Sequence, residues 1–237
     1  YYNYNIINPT RNQNLLLLLF ICVLSRTFTS IFYIEDIDSL RFALSVSDEF
    51  NLNKFQPHFP GYAIFTMIAN IIYYIINNLG MTFSLIGGIS TFLIIVYSFK
   101  IFKVKLESPR GITLCVSIFL NPMMWILSNR YMPDLMGLCI FIIAFYYLMI
   151  KDPIKGGFFT GILFGTRLSF FPLLLLPSFY LIIKSKKNQY YLFSLIMGIS
   201  IWLLPMIWLT GFENLINVPS KHTIGHFNEY GGTIITE

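Results

Sequence analysis

Residues 34–62 read IEDIDSLRFALSVSDEFNLNKFQPHFPGY and lie between two strongly apolar segments. The stretch gathers Glu35, Asp36, Asp38, Asp48, Glu49, Lys54 and His58. A carboxylate at the centre of a bilayer costs about 2.5–3.5 kcal/mol on insertion scales. These acids therefore belong at an interface or in a wet cavity, and the apolar runs on either side are what a membrane accepts.

The rest of the composition agrees. Of 237 residues, 56% are hydrophobic and only 11% charged, with a mean hydropathy of +0.67. Soluble domains carry about 25% charged residues. The chain reads as an all-α polytopic membrane protein. Its net charge of +5 is no nucleic-acid signal, because the Lys and Arg residues sit in short loops where membrane orientation uses them. Cys22, Cys115 and Cys139 lie in apolar runs without metal-ligand spacing and behave as small hydrophobes. Residues 15–24 resemble a signal-peptide core. The apolar run continues past Arg26 to residue 34 without a small-residue cleavage site, so it reads as an anchor helix. Tyr1 in place of Met, and an end soon after the last apolar run, suggest a fragment of a longer protein.

Further apolar segments cover 61–79, 81–99, 111–127, 135–150, 156–183 and 190–209, and a polar tail follows from 211 to 237. The basic clusters are Lys100, Lys103, Lys105 and Arg110; Lys151 and Lys155; and Lys184, Lys186 and Lys187. Placing all of them on the cytoplasmic side, as the positive-inside rule asks, fixes the topology. Segment 156–183 becomes a hairpin of two short helices turning outside near Arg167 to Pro172, and segment 61–79 lies on the outer face without crossing. The expectation is about seven spans, with 35–80 as an outer loop carrying juxtamembrane helices and 210–237 as a second outer loop. Of the acidic residues, only Glu107 and Asp152 then fall inside.

Within 35–80, DSLRFALSV has a short helical pattern. It puts Asp38, Arg41 and Ser45 on one face, with Asp38 able to cap its start. Such a helix would lie on the membrane with its polar stripe toward water. Asp36 and Asp38 are candidate catalytic carboxylates; equally, they can be acids that merely keep a loop outside. In QPHFPGY (56–62), two prolines and a glycine fix the backbone around His58, which can meet an anion or simply cap a rigid turn. SNRYMPD (128–134) brings Arg130 and Asp134 to the outer end of a helical hairpin. Arg167, inside an apolar stretch, needs a wet cavity or an anion, or else snorkels to the interface. Arg26 poses the same question from within the first span.

DSLRFALSV, QPHFPGY, SNRYMPD and FGTRLSFFPLLLLP (164–177), in that order, resemble the glycosyltransferases of the GT-C fold that use lipid-phosphate sugars. These include the dolichyl-phosphate-mannose protein mannosyltransferases and the bacterial aminoarabinose transferases. Phe59 stands where the family's His-Pro-Pro-Gly-Tyr segment usually has proline, and the further spans or soluble domain that members usually carry C-terminally are absent here. The family's shared module has seven spans, which agrees with the topology that charge gives. The resemblance implies a single GT-C-like module over 1–237. It would move a sugar, with inversion, from a polyprenyl-phosphate donor to an unidentified acceptor hydroxyl. The lipid tail would lie between spans.

In that chemistry Asp38, or else Asp36, is the base. His58 and Arg167, and less directly Arg130, meet the phosphate, and Asp134 orients one of them or the sugar. No cofactor is required, although a divalent cation on Asp36 and Asp38 is chemically allowed. Short loops and the motif variant favour a bacterial plasma membrane over endoplasmic reticulum. The competing function is a transporter or flippase of lipid-linked material, and a third is a membrane scaffold without chemistry.

Overall fold

The computed structural model describes residues 9–184 and 188–228, whose regular elements are all helices, without a strand. Helix α1 (Pro9–Phe28) leads through an irregular segment into α2 (Ile37–Ser47) and a short 3-10 turn (Leu52–Lys54). Then come α3 (Ala63–Ile76), α4 (Leu79–Phe102), α5 (Pro109–Phe119), α6 (Pro122–Asn129), α7 (Asp134–Met149) and α8 (Pro153–Thr166). A 3-10 segment (Leu168–Leu174), α9 (Leu175–Lys184), α10 (Asn188–Thr210) and α11 (Phe212–Asn228) complete the order.

Among the described residues, α4 and α10 are long and apolar enough to cross a membrane. The pair α5–α6 makes a third crossing if it is one broken span. Helices α1, α3 and α7 are apolar but shorter, as is 168–183. The segment expected as one span at 111–127 is interrupted. Asn121 accepts hydrogen bonds from the N–H groups of Met123 and Met124, Pro122 takes the first helical position, and the axis bends by 51°. The tail expected as a loop is helix α11 as far as Asn228; the rest of it lies outside the described residues.

The tightest pairing is α8 on α10. Gly157, Gly161 and Gly165 recur every fourth residue, and this stripe faces Ser194, Leu195 and Trp202 of α10. A Cβ on Gly161 would lie 2.5 Å from the Leu195 carbonyl oxygen, and one on Gly198 would lie 2.4 Å from that of Phe158. Small residues at this spacing let helix backbones approach closely where burial from water does not drive association.

Arg26, fully buried in α1, holds the α5–α6 bend. Its guanidinium sits 4.5 Å from the Phe119 ring centroid and 3.7 Å from that of Trp125, and its Nη2 donates to the Phe119 carbonyl at 2.9 Å. That carbonyl belongs to the last turn of α5, where the helix leaves acceptors unpaired. Asn129 and Trp125 complete the seam by donating to Thr29.

Helices α7 and α8 are packed neighbours joined by a short turn, so Asp134 and Arg167 fall at one end of the pair while Lys151 and Lys155 fall at the other. Lys100, at the end of α4, joins that second group: its ammonium lies 4.0 Å from the Tyr97 ring centroid, and the Tyr97 hydroxyl meets that of Tyr147 at 3.2 Å. Lys155 reaches the Tyr147 ring at 5.2 Å. Lysines therefore cluster at one end of the α4, α7 and α8 packing. Arg167 and Asp134 pair at the other, while Asp152 stays with Lys155 at the lysine end.

Candidate functional site

The site is built on α2. Its N-cap is Asp36, not Asp38: Asp36 Oδ1 accepts from the Ser39 N–H at 2.7 Å, with extended backbone at the cap. The helix does not lie with Ser45 toward water. Ser39, Phe42, Ala43, Ser45 and Val46 are buried, and the Ser45 hydroxyl donates to the Phe42 carbonyl. Phe42, Tyr62, Phe65 and Phe83 form the core beneath. This packing presents Asp38, whose side chain is 41% exposed, at the rim.

From Asp38 a continuous chain of polar contacts runs through the site. Arg41, one turn along α2, donates to Asp38 Oδ1 at 3.2 Å. His58 Nδ1 approaches the same oxygen at 3.5 Å, longer than an ordinary hydrogen bond. His58 Nε2 and the Tyr62 hydroxyl are 3.2 Å apart. Arg167 Nη1 donates to that hydroxyl at 3.2 Å, and its Nη2 pairs with Asp134 Oδ1 at 2.9 Å. Arg167 Nε is buried with no hydrogen-bond partner among the described residues.

Four of the residues singled out in the sequence (Asp38, His58, Asp134 and Arg167) therefore converge, and a fifth group, Tyr62, joins them. Tyr62 went unread because QPHFPGY looks like a rigid turn around its histidine. The available signal was its position, four residues after His58 and directly before an apolar helix.

Local backbone explains how the link is made. Gly61 (φ +91°) and Tyr62 (φ +44°) both adopt the left-handed region, which turns the chain sharply into α3. On α7, Gly137 faces the Arg167 stem; a Cβ there would lie 2.4 Å from Arg167 Cβ. The absence of a side chain at 137 lets Arg167 settle against α7 and reach Asp134.

Asp36 and Arg130 form a separate group. Arg130 Nε meets Glu35 Oε2 at 2.6 Å, and its Nη2 pairs with Asp36 Oδ2. Partial burial pushes the Asp36 carboxyl upward, but the Ser39 hydrogen bonds and the Arg130 guanidinium outweigh it and hold the group below the usual carboxylate range. Burial pushes the Tyr62 phenol above its usual range even beside Arg167, so it remains a protonated donor.

The two aspartates thus serve different partners. A divalent cation shared between them would have to displace Arg130 from Asp36 and Arg41 from Asp38. Among the described residues, no three His, Cys, Asp or Glu side chains gather as a metal site.

Chemically, the arrangement offers a solvent-reaching carboxylate backed by a histidine and, through a tyrosine, an arginine whose Nε–H has no acceptor among the described residues. That set can take a proton at one end and hold an anion at the other. No protein-family model, curated protein or solved structure matches the chain.

Proposed function

We propose that the chain is an integral-membrane glycosyltransferase of the GT-C type, moving a sugar from a polyprenyl-phosphate donor to an acceptor hydroxyl, with inversion. The observation that carries this reading is the unbroken contact chain from Asp38 through His58 and Tyr62 to Arg167 and Asp134. It unites residues that the sequence supplies from separate motifs, and it joins a proton acceptor to an anion-binding group.

Asp38 takes the proton of the acceptor hydroxyl as its oxygen attacks the anomeric carbon. The bond between that carbon and the phosphate oxygen breaks, and the departing lipid phosphate carries the charge. Arg167 stabilises that charge, with Nε as the N–H still lacking an acceptor among the described residues. The long His58–Asp38 contact is of the kind that tightens when substrate closes a site. Asp36, already committed to Ser39 and Arg130, supports the α2 start and is the weaker candidate for the base.

The topology that goes with this reading has about seven spans. The site then faces away from the cytoplasm, and a bacterial plasma membrane is favoured. The bent pair α5–α6 is the feature that speaks for the transporter alternative, since broken helices line transport sites.

The protein, purified into lipid, is incubated with polyprenyl-phosphate sugars and hydroxyl acceptors, and sugar transfer is measured. Transfer should occur and should fall about 10²–10⁴-fold in Asp38→Asn, the range for losing a general base. Full activity in the Asp36→Asn, Asp38→Asn double variant would remove the mechanism. Passage of the lipid-linked sugar across vesicles without sugar transfer would establish the transporter reading instead.

A further inference from the structure

We propose that the lysine end of the α4, α7 and α8 packing binds an anionic phospholipid, with Lys100 and Lys155 on its headgroup phosphate and its acyl chains against Met149, Ile150 and Ile154. The inference rests on the chain being a membrane protein and not on the glycosyltransferase reading.

Each of the two ammoniums is held over a tyrosine ring. Lys100, near the end of α4, stands 4.0 Å from the Tyr97 ring centroid, and Lys155, in the first turn of α8, stands 5.2 Å from that of Tyr147 on α7. The two rings meet edge-on with centroids 6.0 Å apart, and Phe159 stacks on the Tyr147 ring at 5.6 Å. Three helices thus place two cations and two phenols side by side. A ring face attracts an ammonium without using up its N–H donors. The long lysine stems are therefore partly ordered before a ligand arrives, which lowers the cost of binding.

The hydroxyls add a donor. The Tyr97 and Tyr147 oxygens are 3.2 Å apart, and one phenol proton serves that bond. The other phenol proton has no acceptor among the described residues. Both tyrosines are only half-buried, so an anion can reach them.

Asp152 offsets part of the positive charge, but it is engaged as a cap. Its Oδ1 accepts from the Lys155 backbone N–H at 3.1 Å, and its Oδ2 stays 3.8 Å from the Lys155 ammonium. Glu107, the other acid expected on this side, accepts from Asn14 of α1. Lys151 adds a third ammonium at the rim, 5.9 Å from the Tyr180 ring of α9.

The neighbours of these lysines decide between a free anion and a lipid. Met149 and Ile150 at the end of α7 and Ile154 at the start of α8 are all exposed. A free phosphate would use the lysines and leave these side chains uncovered. A neutral lipid would cover them and leave the lysines unmatched. An anionic phospholipid answers both, and basic pockets between helix ends are where such headgroups settle. On the proposed topology this is the cytoplasmic leaflet, whose surface is negative.

The test uses the full chain, purified in detergent, freed of lipid and titrated with tail-labelled phosphatidylglycerol and phosphatidylcholine. Detergent leaves both ends accessible, so orientation plays no part. Phosphatidylglycerol should bind the more tightly. Its affinity should fall about thirty-fold in Lys100→Gln, Lys155→Gln, the loss of two lysines from an anionic headgroup. It should be unchanged in Lys103→Gln, Lys105→Gln, which removes the same charge just beyond α4. In Tyr97→Phe, Tyr147→Phe the rings stay and the hydroxyls go, and affinity should fall about tenfold.

Equal affinity for the two lipids, or binding of neither, overturns the inference. So does an equal loss in the Lys103, Lys105 variant, which would mark diffuse charge in place of a site. Displacement of phosphatidylglycerol by millimolar inorganic phosphate, beyond that by sodium chloride at equal ionic strength, would make a free phosphate the ligand and overturn the lipid. If the tyrosine variant does not fold, the two lysine variants decide. Lipid preference without sugar transfer would remove the enzymatic reading alone.

Discussion

At Asp36, the backbone N–H of Ser39 and the guanidinium of Arg130 act on a single carboxylate. Because its folded value is lowered from the ordinary 3.8, the ionised form is the one the fold prefers. Its contribution is complete above the ordinary carboxylate range and is lost as pH falls through the lowered value. Asparagine caps a helix about as well as aspartate, so Asp36→Asn isolates the pairing with Arg130. The stability gap between wild type and this variant should be about 0.2–1 kcal/mol at neutral pH, since both side chains remain partly exposed to solvent. It should close as pH drops below 3.8, read from unfolding midpoints across a pH series. Spacing alone could not choose between Asp36 and Asp38 as the cap, because either carboxylate fits the start of an amphipathic pattern. The buried face of α2 decided it. Arg26 was legible as a costly residue but not as a structural one. Its partners, Phe119 and Trp125, lie far away in sequence at a bend that hydropathy does not register.

The α8–α10 pairing depends on backbones meeting across glycine. Gly161→Ala brings a methyl group to 2.5 Å from the Leu195 carbonyl oxygen, and no side chain can rotate aside to relieve it. We expect a loss of about 1–3 kcal/mol, the usual range for overpacking, measured by thermal unfolding in detergent. The same change at Gly211, where nothing lies closer than 4.0 Å, tests backbone conformation instead, since φ is +81° there. Long elements were readable from their apolar runs: α4, α7 and α10 lie within a few residues of the expected segments. The break between α5 and α6 was written in Asn121-Pro122, a cap followed by a first-turn proline, but the apolar residues on both sides masked it. Helix α11 was hidden for the opposite reason. Its apolar residues are interspersed with polar ones and with Pro219, so neither hydropathy nor propensity marks it.

Across the whole molecule, lysines at one end of the α4, α7 and α8 packing oppose the Arg167–Asp134 pair at the other. If the positive-inside rule governs insertion, cysteines introduced at Asn78 and at Asn188 should react with an impermeant thiol reagent from opposite sides. The measurement is made on intact cells and inverted vesicles, with Cys22, Cys115 and Cys139 replaced by alanine. Labelling from the same side would refute the proposed topology. The convergence of Asp38, His58, Asp134 and Arg167 could be anticipated from charge placement, because like-sided loops are the places where distant motifs can meet. The hydroxyl that joins them could not, since a tyrosine among 15 in an aromatic-rich chain carries no distinguishing mark until its neighbours are known. The separation of the two ends has a practical corollary. Stripping Lys100, Lys151 and Lys155 of charge would touch none of the polar contacts around Tyr62. If that rule governs, the change turns the molecule upside down during insertion and leaves the same cluster of polar groups opening to the wrong compartment.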